Sequence, residues 1–351
     1  MKLNSKLTLI VDGNWLLMSR LSVIKNRFAI EKQLSDNLKQ IMTQSIKLML
    51  RKIPKIDNII IVADGGSWRC DLEIPKFLED QNITYKGNRE QDESLNWDLI
   101  FGAYEEWREL AQEAGITTCR EFGIEGDDWC WYLSRKLNNN GTNCIIWSMD
   151  KDLTQLVQTD KDGVFTVTWN KLYMTMEENN EDDMNFLFNF NFSNNETLLN
   201  SIKTKAKEVK TIKPIEIVID KIIRGDAGDN IFPIIKRKSK TNPDKTFRVR
   251  VKDIKYDLDV FNENEIDNYL LNLLSSKLYK NSVDKPYQDI YEHFNYNKKL
   301  VMLHKSSYPK EILDIMDNIE IGPASTNISY IEEKLNAKVA SGDKIDLFEE
   351  I

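Results

Sequence analysis

The sequence predicts an α/β protein: a mostly parallel, twisted sheet flanked by helices, followed by a mainly α-helical C-terminal region. Short apolar runs alternate with amphipathic stretches of helical spacing through the first half of the chain. That alternation is the pattern of strands joined by crossover helices. The apolar runs end, one after another, in carboxylates. From Pro214 onward the spacing is helical and the charge turns basic.

Leu7–Val11 predicts a buried strand that ends at Asp12-Gly13-Asn14, and Glu31–Leu50 has the apolar spacing of a helix. Ile59–Val62 predicts a second strand ending at Asp64-Gly65-Gly66. Trp97–Ala114 predicts a helix stopped by Gly115. Ile116–Phe122 predicts a third strand, leading to Glu125-Gly126-Asp127-Asp128 and a helix over Asp128–Asn138. Cys144–Trp147 then runs into Ser148-Met149-Asp150-Lys151-Asp152, and Val164–Trp169 predicts a further strand. Phe186, Phe188, Phe190 and Phe192 alternate within a polar stretch, as in a strand or an insertion. The expected organisation is an α/β domain over 1–176, an insertion or linker over 177–213, and a helical region over 214–351.

With 41% hydrophobic and 30% charged residues, the chain has a globular composition. It has no apolar run of bilayer-spanning length and no signal-peptide pattern, so a cytoplasmic location without membrane attachment is expected. The four cysteines form no CxxC pair and only two histidines accompany them, which argues against a zinc site. A net charge of −8 opposes nucleic-acid binding in general. Its distribution does not, because Lys236, Arg237, Lys238, Lys240, Arg248 and Arg250 fall in one short stretch.

In a parallel sheet, ligands gather outside the carboxyl ends of the strands. Asp12, Asp64 and Asp150 stand at such ends, and Glu125 and Asp127 follow the third strand. A two-residue step, as in Glu125/Asp127 and Asp150/Asp152, keeps both side chains on one side of an extended backbone. Asp226 and Asp229 are three apart and would share one face of a helical turn. An Asp at a strand-to-helix turn is a favoured N-cap. Caps explain one acid per turn but not the doubled acids. Clustered carboxylates call for hard cations, expected here to be two Mg²⁺ or Mn²⁺, which suit phosphodiester hydrolysis.

At these residues the chain resembles the flap endonuclease and 5′-3′ exonuclease superfamily, of PIN-like fold. The matching pieces are Ile10-Val-Asp12-Gly-Asn14, Val62-Ala-Asp64-Gly-Gly66, Ile124-Glu125-Gly-Asp127-Asp128, Ser148-Met-Asp150-Lys-Asp152 and Ile223-Arg-Gly-Asp226-Ala-Gly-Asp229-Asn230. Trp68-Arg69 and Tyr85–Arg89 extend the likeness toward the ribonuclease H branch of T-even phages. The resemblance implies that Asp12, Asp64, Glu125, Asp127 and Asp150 hold one metal, and Asp152, Asp226 and Asp229 a second. It further implies that Lys86 and Arg89, on a helical arch, contact the scissile phosphate with Arg69 nearby. Implied substrates are branched or nicked DNA and RNA–DNA hybrid, met as primers and flaps during phage replication in the host cell. Alternatives are a PIN-like single-strand ribonuclease and a catalytically silent, structure-specific DNA-binding protein.

Two features depart from that pattern or extend it. Family members follow the second acidic element with a glycine-rich hairpin that binds potassium, whereas Ile231–Lys240 contains no glycine. The basic stretch is expected to contact duplex phosphates in its place. Asp346-Leu347-Phe348 is similar to peptides that dock on sliding clamps, so Leu347 and Phe348 are candidate contacts for a clamp or single-strand-binding protein. The protein itself is expected to be a monomer.

Overall fold

The computed structural model describes residues 6–24, 31–53, 55–79, 84–89, 92–170, 173–178, 194–238, 246–249, 254, 258–275 and 286–338. The chain forms two compact units, each assembled from separate stretches of sequence. The first comprises Met1–Gly66, Asp92–Ile212 and Asp314–Ile351; the second comprises Ser67–Gln91 and Lys213–Leu313.

The first unit is a PIN-like α/β layer structure around one sheet. Its strands are β1 (Leu7–Asp12), β2 (Asn58–Val62), β3 (Thr117–Cys119), β4 (Asn143–Trp147), β5 (Gln158–Thr159), β6 (Phe165–Trp169), β7 (Met174–Glu177) and β8 (Val209–Ile212). They lie in the order β3-β2-β1-β4-β6-β7-β8, with β5 paired to β6. The pairs from β3 through β6 are parallel, and only β5/β6 and β6/β7 run antiparallel. Every residue of β1, β2 and β4 is buried. Strands covered on both faces have no polar side to alternate with, which is why these segments read as continuous apolar runs.

Chain order turns at β1. β2 and β3 extend to one side, and β4 returns to the other. Such a reversal opens a crevice at the carboxyl ends of the strands. The register makes those ends level, since Asp12 pairs with Val62 and Val11 with Trp147. Asp12, Ala63-Asp64 and Ser148–Asp150 therefore leave the sheet at one edge.

Helices α1 (Gly13–Ile24), α2 (Glu31–Lys52), α3 (Trp97–Glu113), α4 (Gly126–Asn139) and α5 (Asn194–Lys203) belong to this unit. α2 buries Leu38, Ile41, Met42 and Ile46, the spacing of a single helical face. These side chains join Trp107 of α3 and Ile331 of the helix Ile328–Lys338 in one apolar core. Trp107 is fully buried, and its indole N–H donates to Thr43 Oγ1 at 2.9 Å, so the core has a partner for that donor.

In the second unit, helix α6 (Pro214–Arg224) starts with proline at its first turn, where a missing N–H costs nothing. It packs with α7 (Glu263–Ser275) and α8 (Tyr287–Val301) through Ile219, Ile223, Leu270, Ile290 and Phe294. The side-chain amide of Asn297 donates to the carbonyls of Ile222 and Phe232, tying α8 to the chain that follows α6. This unit also holds a two-stranded antiparallel ribbon, β9 (Lys236–Lys238) and β10 (Thr246–Arg248). The expected mainly helical region did not include that ribbon, because a three-residue strand carries too little periodicity to register.

Two boundaries differ from the sequence reading. β3 stops at Cys119 instead of Phe122, because Glu121–Ile124 closes a turn with Gly123 at φ +78°. The 177–213 stretch supplies α5 and the edge strand β8. The alternating phenylalanines Phe186–Phe192 lie outside the described residues. Among the described residues, no helix is long and apolar enough to cross a membrane.

Gly13 sits where β1 passes into α1, and a Cβ there would stand 2.1 Å from Tyr104 Oη and 2.7 Å from the Val62 carbonyl oxygen. Gly13→Ala is expected to destabilise the fold by about 1–3 kcal/mol, as overpacked cores do. Adding Tyr104→Phe should recover part of that loss. Equilibrium denaturation of the single and double variants measures both effects.

Candidate functional site

The acids of the first unit are positioned by the strand ends and by the turns that follow. Asp12 is the last residue of β1 and is 8% exposed. Its Oδ1 accepts from the Trp15 N–H at 2.9 Å, so it does cap α1, while Oδ2 accepts from the Ser148 hydroxyl at 2.7 Å. Ser148 in turn accepts from the Asp150 N–H at 3.0 Å, linking the ends of β1 and β4. Asp150 Oδ1 accepts from the Asp152 N–H at 2.8 Å, which fixes the doubled acids in one tight turn.

Asp64 is held from two directions. Its Oδ2 accepts from the Asn14 side-chain amide at 2.9 Å, and its own N–H donates to Asn14 Oδ1 at 3.0 Å. Its Oδ1 accepts from the Gly126 N–H at 2.7 Å, at the start of α4. A helix N-terminus carries partial positive charge and favours such a carboxylate. Glu125 is the residue before α4 and is buried, and Asp127 in the first turn is half-buried. Asp128 is fully buried and accepts from the Glu125 N–H at 3.1 Å. The Glu125 side chain accepts in return from the Asp128 N–H, so these two acids close the helix cap reciprocally.

The electrostatics confirm that these acids sense one another. Burial pushes the Asp12 carboxyl up to about 6, against the Trp15 and Ser148 hydrogen bonds, and the charges of Asp64 and Asp150 push the same way. Below them, burial raises the Cys130 thiol well above its ordinary range, and Asp12, Asp127, Asp64 and Asp150 add to the rise. Tyr104, whose hydroxyl lies 3.5 Å from Asn14 Oδ1, is likewise raised by burial and by Asp12 and Asp64. Clustered negative charge in so dry a place is unfavourable. The donor set is all hard oxygen, and a divalent cation fits it: such an ion would offset the burial cost and the repulsion that together raise the Asp12 carboxyl.

The second unit brings together another part of the expected site. α6 ends at Gly225, whose φ of +66° turns the chain away from the helix. A Cβ at Gly225 would meet the Ile231 carbonyl oxygen at 2.2 Å. Asp226 and Ile231 exchange backbone hydrogen bonds of 2.9 and 2.7 Å, closing a turn that carries both Asp226 and Asp229. The two acids thus share a turn and not a helical face, because the glycine ends the helix first. Asp226 is half-buried, which raises its carboxyl, but the Lys221 ammonium at 2.5 Å, the Gly228 N–H and Arg248 outweigh that and hold it below the usual range. Asp229 Oδ1 pairs with Arg89 Nη2 at 2.6 Å.

Lys86 lies in a turn, Tyr85–Asn88, and Arg89 directly follows it, in place of the expected helix. Lys86 takes φ +56°, and its N–H donates to the Asp229 carbonyl at 2.9 Å. Asn88 and Asn230 side chains add cross-links to Ala227 and Thr84, so this turn and the acidic turn are fastened together. Arg69 is 2% exposed, its guanidinium 4.6 Å from the Trp68 ring and 5.8 Å from that of Tyr308. In the ribbon, Arg237 pairs with Phe247, and Lys238 with Thr246. Lys236 and Arg248 are exposed there. Lys240, Arg250, Leu347 and Phe348 lie outside the described residues.

Sequence reasoning gave no role to Ser148, Asn14 or Lys221. Ser148 stands two residues from Asp150, from whose N–H it accepts, and that offset at a strand end was an available signal; Asn14 holds Asp64, fifty residues away, which local sequence does not show. Lys221, five residues before Asp226, reads as an ordinary helical lysine.

The family model for the 5′-3′ exonuclease N-terminal resolvase-like domain matches residues 7–185. The chain is 27% identical over 233 residues to the 5′-3′ exonuclease of Buchnera aphidicola subsp. Schizaphis graminum, covering 66% of this chain and 67% of that protein. It is 28% identical over 200 residues to the 5′-3′ exonuclease of Buchnera aphidicola subsp. Acyrthosiphon pisum, covering 57% and 56%. The fold is similar to that of the T5 D15 protein co-crystallised with metal ions, with a TM-score of 0.51 and 16% identity over 93% of this chain and 99% of that one.

A carboxyl raised from 3.8 to about 6 lowers native stability at neutral pH by about 3 kcal/mol, at roughly 1.4 kcal/mol per pH unit. The sign follows from the raised value: the protonated form is favoured in the folded state, so stability is full below the unfolded value and falls as pH rises through 6. Asp12→Asn is therefore expected to melt higher than the parent at pH 8 in EDTA, with the advantage shrinking as pH drops below 6. Thermal melts across that range check it, and a pH-independent difference would contradict the assignment.

Proposed function

The chain belongs to the 5′-3′ exonuclease family through its N-terminal resolvase-like domain, and we propose that it is a metal-dependent 5′ nuclease that removes RNA primers and 5′ flaps during phage DNA replication. The single observation that carries this reading is the convergence of Asp12, Asp64 and Asp150 at the level ends of β1, β2 and β4, with Asp12 buried among them. The reaction is hydrolysis of a phosphodiester bond. Two divalent cations, Mg²⁺ or Mn²⁺, would supply an activated water and stabilise the charge on the leaving oxygen.

The protein's own groups have distinct parts in this reading. Asp12, Asp64, Glu125, Asp127 and Asp150 serve the first cation, and Asp152, Asp226 and Asp229 the second, as the family resemblance assigns them. Ser148 and Asn14 fix the carboxylates of Asp12 and Asp64, so that little reorganisation is needed when charge develops. Lys86 and Arg89 neutralise the phosphate that is cut. Buried Arg69, held against Trp68 and Tyr308, steadies the segment that carries them. The exposed cations Lys236 and Arg248, with Arg237, Lys238, Lys240 and Arg250, take the phosphates of the duplex. Leu347 and Phe348 are the proposed contact for a sliding clamp or single-strand-binding protein.

A PIN-like ribonuclease acting on single-stranded RNA is the second reading, and the Asp226–Asp229 turn with its basic ribbon speaks against it, since a short single-strand nuclease has no use for a duplex grip. Cleavage of 5′-flap DNA, RNA–DNA hybrid and single-stranded RNA by the same preparation in Mg²⁺ separates the two. The 5′ nuclease is expected to cut the first two and spare the third. Exchanging Asp150 and Asp152 together for Asn, which removes one ligand from each cation site, should lower flap cleavage by about a thousandfold or more, while flap binding in a gel-shift assay is retained. Undiminished cleavage would refute the metal assignment.

A further inference from the structure

Phe122 is 91% exposed, the most exposed of the large hydrophobic side chains among the described residues. It stands on the Glu121–Ile124 turn, closed by a hydrogen bond from the Ile124 N–H to the Glu121 carbonyl at 3.2 Å. That turn is fastened to the residue after Asp64: the Gly65 N–H donates to the Ile124 carbonyl at 2.8 Å, and the Gly123 N–H to the Gly65 carbonyl at 2.9 Å. The approach is close enough that a Cβ at Gly65 would lie 1.8 Å from the Glu121 carbonyl oxygen. Gly123, at φ +78°, completes the turn. Glu125 comes three residues after Phe122. The phenyl ring is thus presented to solvent from a fixed backbone at the edge of the carboxylate pocket.

The surroundings select the occupant. Arg120 reaches back to the Asp64 carbonyl at 3.0 Å and pairs with Glu105, so the base of the turn carries a partly exposed guanidinium. On the β4 side of the same pocket, Met149 is 50% exposed between Ser148 and Asp150. These are single apolar groups separated by acids, not a contiguous apolar patch of the size that binds a protein. A lone aromatic face beside a phosphate-handling centre matches a planar, heteroaromatic ring joined to a phosphate. That description fits a nucleobase.

We propose that Phe122 stacks on the base of a nucleotide flanking the scissile phosphate and so sets which phosphate enters the carboxylate pocket. This rests on the 5′ nuclease reading and adds a substrate contact to it. Stacking on an aromatic ring is indifferent to sequence, because every base has a π-face. The contact therefore governs the position of the cut and not the choice of base.

The test uses the full-length protein with Ca²⁺ in place of Mg²⁺ and a 5′-flap duplex carrying 2-aminopurine on one or the other side of the junction phosphate. With the parent protein, binding is expected to quench the probe in one of the two positions. Phe122→Ala should abolish that quench, weaken binding about tenfold and, in Mg²⁺, scatter the cut over neighbouring phosphates. Phe122→Tyr should keep the quench and the single cut. Phe122→Ala that quenches, binds and cuts like the parent would overturn the proposal. Were the alanine variant to melt lower than the parent, Phe122→Leu compared with Phe122→Tyr decides: equal quench in the two overturns stacking, and loss in Leu alone supports it. A parent protein that neither binds nor cuts the flap overturns the 5′ nuclease reading itself, and this proposal with it.

Discussion

Burial of a carboxylate beside other carboxylates is the constraint on which the rest of the first unit depends. Burial at the end of β1 pushes the Asp12 carboxyl up to about 6, and the charges of Asp64 and Asp150 push the same way. A sheet that ended in ordinary residues would be more stable without metal. Here the parallel register of β1, β2 and β4 carries the acids to one level, and the reversal of strand order at β1 opens the crevice that receives them. The fold accepts a cost at this edge that a bound cation would relieve.

Neutral hydrogen-bond partners hold the repelling groups in place. Ser148 joins Asp12 to the backbone of Asp150, and Asn14 grips Asp64 through both of its amide atoms. Neither adds charge, so each fixes geometry without lowering the demand for a cation. The second unit solves the same problem differently. There Lys221 and Arg89 are cationic partners of Asp226 and Asp229, and the Asp226 carboxyl is held low instead of high. The carboxyls of Asp12 and Asp226 are thus shifted in opposite directions.

Much of this was legible in the sequence, and for identifiable reasons. β1, β2 and β4 are buried on both faces, so they appear as unbroken apolar runs. Asp12, Asp64 and Asp150 stand at or just beyond their ends. The helices α2 and α3 announced themselves by spacing, and Gly115 marked the stop of α3. The doubled acids proved to be mixed in role: Asp12 does cap α1 while facing the other acids, and Asp128 is fully engaged in the cap of α4. Local pattern could not show that a cap and a member of an acidic cluster are the same residue, since that depends on which strands lie side by side. The turn at Asp226–Ile231 was read as helical because charge spacing at three residues is shared by helices and tight turns, and the helix expected around Lys86 and Arg89 came from the family resemblance. What decided them was backbone conformation at Gly225 and Lys86, where a positive φ excludes helix.

The central claim is that the strand-end carboxylates form a site for a divalent cation. Titration of Mn²⁺ into the protein at pH 8, followed by the electron paramagnetic resonance of the free ion, tests it without reference to turnover. The account predicts that the parent protein removes the free-ion signal saturably and that Asp64→Asn, which leaves the Asn14 contact in place but removes the charge, takes up markedly less. A free-ion signal unaffected by the parent protein, or equal uptake by the two, would contradict it.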